Sequence, residues 1–121
     1  MNKYVIFAET GAYSDYRAKP VGVYDDRAEA EKIAAELEAQ SRAWHARLDT
    51  YKQEQWKLDP GFAADPKLKK AYRDEFNRSW DKWHEANPPP KHDPFGEYHG
   101  FTTYTVVAVP SNSCFVQVEK L

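Results

Sequence analysis

The chain has 121 residues, the size of one ordinary domain, and its 41% apolar and 30% charged residues exclude a disordered composition. The formal net charge of −2 argues against generic binding to nucleic acid, which needs a strongly basic surface, and against a polybasic membrane anchor. Cys114 is the one cysteine, so no intramolecular disulfide can form. The short apolar stretch at the N-terminus is unlike a secretory signal, and no apolar run approaches the roughly 20 residues of a membrane span. These features predict a single cytoplasmic domain over residues 1–121, with no membrane association.

The first predicted elements are two strands. Residues 3–9 place apolar side chains on both faces, which is typical of a strand at the centre of a sheet. Residues 21–24 form a shorter second strand. The connection over residues 10–20 is long for a hairpin.

A long helix is predicted over residues 27–58. Asp26 is suited to cap its N-terminus, with Glu29 three residues later as in a capping box. Apolar residues recur at spacings of 3, 4 and 7 and define one face of this helix, which consists of Ile33, Leu37, Trp44, Leu48, Tyr51 and Leu58.

A second helix is predicted over residues 66–86, after a Pro-Gly break and an N-cap at Asp65. Its apolar stripe consists of Leu68, Tyr72, Phe76, Trp80 and Trp83. Because the link between the helices is short, we expect an antiparallel hairpin in which Tyr51 lies near Tyr72. Strands of about six residues are only about 20 Å long, so this helical arm, residues 27–86, should be longer than the sheet.

Two further strands are predicted after the helices. Residues 101–109 alternate threonine and tyrosine with valine, and residues 114–118 follow after a turn. The order β-β-α-α-β-β predicts an α+β fold with a mainly antiparallel four-stranded sheet, built from residues 3–24 and 101–118. The long helical hairpin is then inserted between two β-hairpins.

No residue pattern indicates catalysis. His92, Asp93, Glu97 and His99 are potential metal ligands, but their spacing matches no zinc motif, and we interpret them as a solvated loop. No base can be assigned to Cys114, and the five scattered glycines form no phosphate-binding loop. The second helix has six positive and four negative charges, too small a bias for a nucleic-acid helix. The sequence therefore predicts no enzyme, no metal or other cofactor, and no nucleic-acid partner.

Two aromatic segments are predicted as contact loops, because rigid aromatic side chains on loops bind partners at low entropic cost. The candidate binding residues are Tyr13, Ser14, Asp15, Tyr16, Phe95 and Tyr98. If the strands beside these loops are neighbours, the loops form one patch. The alternative is that the polar side chains fix a turn and the tyrosines fold back over the sheet.

The N-terminal quarter carries one resemblance, over residues 3–7, 13–16, 22–24 and 28–35. It resembles short phage and prophage proteins of uncharacterised function, which have a strand, a Tyr-Ser-Asp-Tyr turn, a Gly-Val-aromatic strand and a helix rich in alanine and glutamate. The resemblance implies a phage or mobile-element origin. Small proteins of that kind often bind host or defence proteins.

The leading functional hypothesis is a non-enzymatic interaction protein that presents the helical arm, the loop at residues 13–16, or both to a bacterial protein. One alternative is a self-associating structural module, in which two helical arms pair as a homodimer. Another is a binder of a small ligand or nucleotide, with a pocket between the aromatic loops and the sheet.

Overall fold

The structure is a computed structural model that describes residues 2–11, 16–61, 65–95 and 101–112. Its elements in chain order are the strands β1 (Asn2–Thr10) and β2 (Arg17–Tyr24), the helices α1 (Arg27–Leu58) and α2 (Pro66–Ala86), and the strand β3 (Thr103–Pro110).

By internal packing the chain separates into two compact units. Met1–His45 and Pro89–Leu121 make up the first, which we call the sheet unit. Ala46–Pro88 makes up the second, which we call the hairpin unit.

The described part of the sheet is antiparallel and has the strand order β2-β1-β3. β1 lies at the centre, as its two apolar faces predicted. The α+β class is confirmed, but the prediction of a four-stranded sheet is wrong, because three strands are paired among the described residues. β2 and β3 pair along the two edges of β1, so three strands already satisfy its backbone hydrogen bonds. The segment 114–118, predicted as the fourth strand, lies outside the described residues.

β2 is longer than predicted and begins at Arg17, which pairs with Thr10. β1 and β2 therefore form a hairpin. The prediction of a long connection over residues 10–20 is wrong, because β1 continues to Thr10 and β2 already begins at Arg17. The register shifts just before Phe7, which stands opposite Pro20. Proline gives no N–H to the ladder and is confined to edge strands and bulges, which is why the sequence signal for β2 was weak.

The core of the sheet unit lies between α1 and one face of the sheet. Its buried members are Ile6, Ala8, Tyr24, Ala30, Ala34, Leu37 and Tyr104. Alternation along β1 puts Ile6 and Ala8 on the face toward α1 and Val5, which is also fully buried, on the opposite face. Small alanine side chains on α1 allow the helix to lie close to the strands.

Both helices have the predicted bounds. α1 is capped as expected, since the backbone N–H of Glu29 donates to the carboxylate of Asp26 over 3.3 Å. α2 is capped by Asp65, whose side chain accepts from the N–H of Lys67 over 2.7 Å. In the part of the chain that the structure describes, neither helix combines the length and apolar character that crossing a lipid bilayer requires.

The end of α1 and the whole of α2 form the predicted antiparallel helical hairpin. The hydroxyls of Tyr51 and Ser79 lie 2.6 Å apart, and the ring of Tyr51 stacks on that of Trp83 at 5.4 Å. Nearer the turn, the Tyr72 hydroxyl donates to the carbonyl of Gln55 over 3.1 Å. Tyr51 lies near Tyr72, as predicted: the pKa of the Tyr72 phenol is raised first by desolvation, then by the charge of Asp59 and last by Tyr51. Its direct contacts, however, lie further along α2.

This offset follows from the direction of helical side chains, which lean toward the N-terminus of their own helix. In an antiparallel pair, Tyr51 therefore leans away from the turn and reaches residues further along α2. Tyr72 leans toward the turn and reaches a residue of α1 beyond Tyr51. The sequence-based pairing counted residues outward from the turn. It therefore matched backbone positions and did not include the direction in which the side chains lean.

Candidate functional site

The first candidate site is one end of the sheet. Thr10 pairs with Arg17, and Glu9 pairs with Thr103, so β1 ends where β2 and β3 begin. β1 and β3 are thus neighbours, which was the condition for the two aromatic segments to lie together. Four of the predicted binding residues, namely Tyr13, Ser14, Asp15 and Tyr98, lie outside the described residues.

Tyr16 lies at this end and is 48% exposed. The pKa of its phenol is raised by partial desolvation, and further by the charge of Glu9 and a hydrogen bond to it. The carboxylate of Glu9 also accepts from the Thr105 hydroxyl over 2.7 Å. Tyr16 is therefore held against the sheet by Glu9 while its ring stays accessible.

Phe95, the other described binding candidate, packs against the core of the sheet unit. The ammonium group of Lys19 lies 5.8 Å from the centre of its ring. Phe101 is covered in a similar way by the guanidinium of Arg42 at 4.1 Å. A cation therefore lies over each of these two rings, while Phe101 remains 38% exposed.

A polar network fixes the segment that precedes β3. The Asp93 carboxylate accepts from the Ser41 hydroxyl over 3.2 Å, from the Thr102 hydroxyl over 2.7 Å, and from the N–H of Phe95 over 3.0 Å. Ser41 in turn accepts from the N–H of Thr102 over 2.8 Å, and both of these residues are fully buried. This arrangement is typical of a structural cross-link between a helix and a strand.

The network also includes one of the four potential metal ligands that the sequence analysis named, Asp93. Asp93 is occupied by three hydrogen-bond donors, while Glu97 and His99 lie outside the described residues. Within the described ranges, no three histidine, cysteine or carboxylate side chains come together as a potential metal site.

Tyr104 is expected to lose its phenol proton at a higher pH than an ordinary tyrosine. Burial first, and the negative charge of Asp93 second, raise its pKa well above the ordinary value of 10.0. The unfolded chain therefore loses this proton first, so the contribution of Tyr104 to stability is complete below pH 10.0 and declines as the pH rises further. A titration followed by tyrosinate absorbance should show one phenol that ionises at unusually high pH, and Tyr104→Phe should remove that step. A titration curve unchanged by that substitution would contradict this assignment.

The second candidate site lies at the turn of the hairpin unit. Three large apolar side chains there are open to solvent, since Trp56 is 76%, Leu58 67% and Leu68 60% exposed. We call residues 56–61 and 65–70 the hairpin tip. Trp56 is the most exposed large apolar side chain in the described chain.

Two aspartates shape the backbone of the hairpin tip. Asp59 accepts from the N–H of Gly61 over 2.9 Å, and Asp65 accepts from the N–H of Lys67 over 2.7 Å. Gly61 has a φ of +73°, a conformation that glycine adopts without strain. The two aspartate side chains therefore fix the described backbone on each side of residues 62–64, next to the exposed apolar side chains.

A cavity of about 490 Å³ opens at the hairpin tip. Its lining includes Trp56, Asp59, Gly61 and Lys69. The negative charge of Asp59 contributes to raising the pKa of the nearby Tyr72 phenol, after the larger effect of desolvation. The cavity thus combines an aromatic wall with one carboxylate and one ammonium group, and its volume fits a side chain or a small molecule.

Sequence periodicity did not identify the hairpin tip. Leu58 and Leu68 belong to the predicted apolar stripes of their helices, yet both are exposed. Trp56 falls outside the stripe of α1. A tryptophan away from the apolar stripe, close to a helix end, was the available signal.

Comparison with protein-family models, with curated proteins and with solved structures finds no match for this chain. The functional argument therefore rests on the geometry of the described residues.

Proposed function

We propose that this chain is a non-enzymatic protein-interaction module whose hairpin tip contacts a partner. The observation that supports this proposal is that Trp56, Leu58 and Leu68 are all exposed at the end of the hairpin unit where α1 ends and α2 begins. Large apolar side chains left exposed at one end of a structural unit are typical of contact surfaces. Tryptophan is also among the residues that contribute most to binding free energy at protein interfaces.

The partner we propose is a bacterial protein, either a host factor or a defence factor. The support for this part is the resemblance of the N-terminal quarter to phage and prophage proteins. Tyr16, which is accessible on the sheet unit, is a second contact point to test beside the hairpin tip.

Affinity capture from a bacterial lysate tests the proposal when it is run with matched variants. Trp56→Ala is expected to reduce the captured partner at least about tenfold, since loss of an interface tryptophan typically costs about 2 kcal/mol or more. Glu54→Ala, an exposed change on the same helix, is the control and should leave capture unaltered. Capture that survives Trp56→Ala and is lost with Tyr16→Ala would move the contact to the sheet unit.

Self-association is a second candidate function, and one observation favours it. No residue of α2 is buried, so the rings of Tyr72, Phe76, Trp80 and Trp83 are only partly covered. Pairing of two chains through this stripe would bury it in a homodimer. A mass in solution equal to the single-chain value of 14.0 kDa at micromolar concentration would eliminate this candidate.

A further inference from the structure

We propose that the segment bound at the hairpin tip is an acidic stretch of protein with a large apolar side chain at its centre. This inference rests on the proposed function, because it takes the hairpin tip to be the contact surface. It adds the chemistry of the occupant, which follows from the charges around the exposed apolar side chains.

The hairpin tip is basic. It contains the four lysines Lys57, Lys67, Lys69 and Lys70, and the two aspartates Asp59 and Asp65, which gives a net charge of +2. The intervening residues 62–64 are uncharged in the sequence and do not alter this balance. Both aspartates accept hydrogen bonds from backbone N–H groups of the turn. These bonds leave both carboxylates charged, and the four lysines outnumber them, so an approaching molecule meets a net positive charge at the hairpin tip.

Two of these lysines, Lys67 and Lys70, lie where a positive charge is unfavourable for a helix. Lys67 and Lys70 lie at the start of α2, whose first turn contains no acidic residue. The N-terminus of a helix is the positive end of its dipole, where cations destabilise the helix. α1 follows the usual rule, with Glu29 in its first turn and Lys57 in its last. The Asp65 carboxylate at the N-cap offsets this positive charge in part, and an acidic partner would offset the charges of Lys67 and Lys70 further.

Two anionic partners could bind a basic surface, namely an acidic protein segment and an anionic lipid membrane, and the cavity favours the protein segment. A lipid surface is smooth, whereas the cavity beside Trp56, at about 490 Å³, is large enough for a protruding side chain of a protein to enter. In our proposal a leucine, isoleucine or aromatic side chain enters this cavity, and flanking carboxylates face the lysines of the tip. Electrostatic attraction of this kind speeds association and selects for the acidic partner.

Selection of short random-sequence peptides on the immobilised full-length chain tests this inference. We expect the recovered peptides to carry aspartate or glutamate on both sides of a large apolar residue. The double substitution Lys67→Glu/Lys70→Glu should weaken their binding about tenfold, and added salt should weaken binding to the unaltered chain. Because glutamate is favoured at a helix N-terminus, this variant should fold at least as well as the unaltered chain, which circular dichroism checks.

The possible results separate the two proposals. Peptides without an acidic bias, or peptides that bind the lysine variant equally well, would overturn the inference. If such peptides were still lost on Trp56→Ala, the interaction function would stand. Peptides whose binding is unaffected by Trp56→Ala would contradict both the proposed function and this inference. Failure to recover peptides, with lysine-dependent binding to phosphatidylglycerol vesicles instead, would replace the protein segment by a lipid surface.

Discussion

Replacing Trp44 with alanine is expected to destabilise the protein by about 3–5 kcal/mol, the usual cost of deleting a buried tryptophan. Trp44 is 1% exposed and is the largest fully buried side chain of the described residues. Its ring also meets the ring of His45 edge-on at 4.9 Å. Removing the indole therefore leaves a cavity that the surroundings fill only in part, and chemical denaturation followed by circular dichroism measures the loss.

Trp56→Ala is the matched control for this prediction. The same atoms are removed from a side chain that is 76% exposed, so the free energy of unfolding should change by no more than about 0.5 kcal/mol. Similar losses in the two variants would contradict the assignment of Trp44 to the interior and Trp56 to the surface. If Trp44→Ala does not fold, Trp44→Phe provides a milder comparison with the same order of effects.

Replacing Asp93 with alanine is expected to cost about 2–4 kcal/mol, because several donors lose their acceptor at once. The hydroxyls of Ser41 and Thr102 and the N–H of Phe95 all donate to this carboxylate. Ser41 and Thr102 are fully buried, so water does not replace the lost bonds without rearrangement.

Asp93→Asn separates loss of hydrogen bonds from loss of charge. The asparagine oxygen can accept from Thr102 and Phe95, which share one oxygen of Asp93, while its NH₂ group donates to the Ser41 hydroxyl. We therefore expect a loss well below that of Asp93→Ala in the same denaturation experiment. Equal losses in the two variants would show that the negative charge, and not the bonding geometry, provides the stabilisation.

The helices were the part of the fold most accessible from the sequence. Long apolar periodicity together with the caps at Asp26 and Asp65 defined both α1 and α2 with their observed ends. These signals are local, so each can be read from a few neighbouring residues.

The strands were less accessible, because an edge strand has weaker constraints. The start of β2 at Arg17 and its proline opposite Phe7 differ from the alternating apolar pattern of a central strand. Whether a further strand pairs with the sheet depends on long-range contacts that no local pattern contains.

The hairpin tip could not be predicted from the sequence, for a different reason. Periodicity identifies which face of a helix is apolar, but not where the partner helix stops covering it. Leu58 and Leu68 continue the stripes of their helices, yet they lie nearer the turn than the bond between Tyr72 and Gln55 and remain exposed. Apolar side chains at the end of a helical hairpin can therefore belong to a contact surface even when they fit the stripe.

The most direct test of the interaction function is hydroxyl-radical labelling of the chain, alone and with its captured partner. Side chains in the interface are shielded from the reagent, and the others are labelled as before. The account predicts protection of Trp56, Leu58 and Leu68, with labelling of the exposed Val107 on β3 as the internal comparison. Unchanged labelling of these three side chains in the saturated complex would contradict a contact at the hairpin tip.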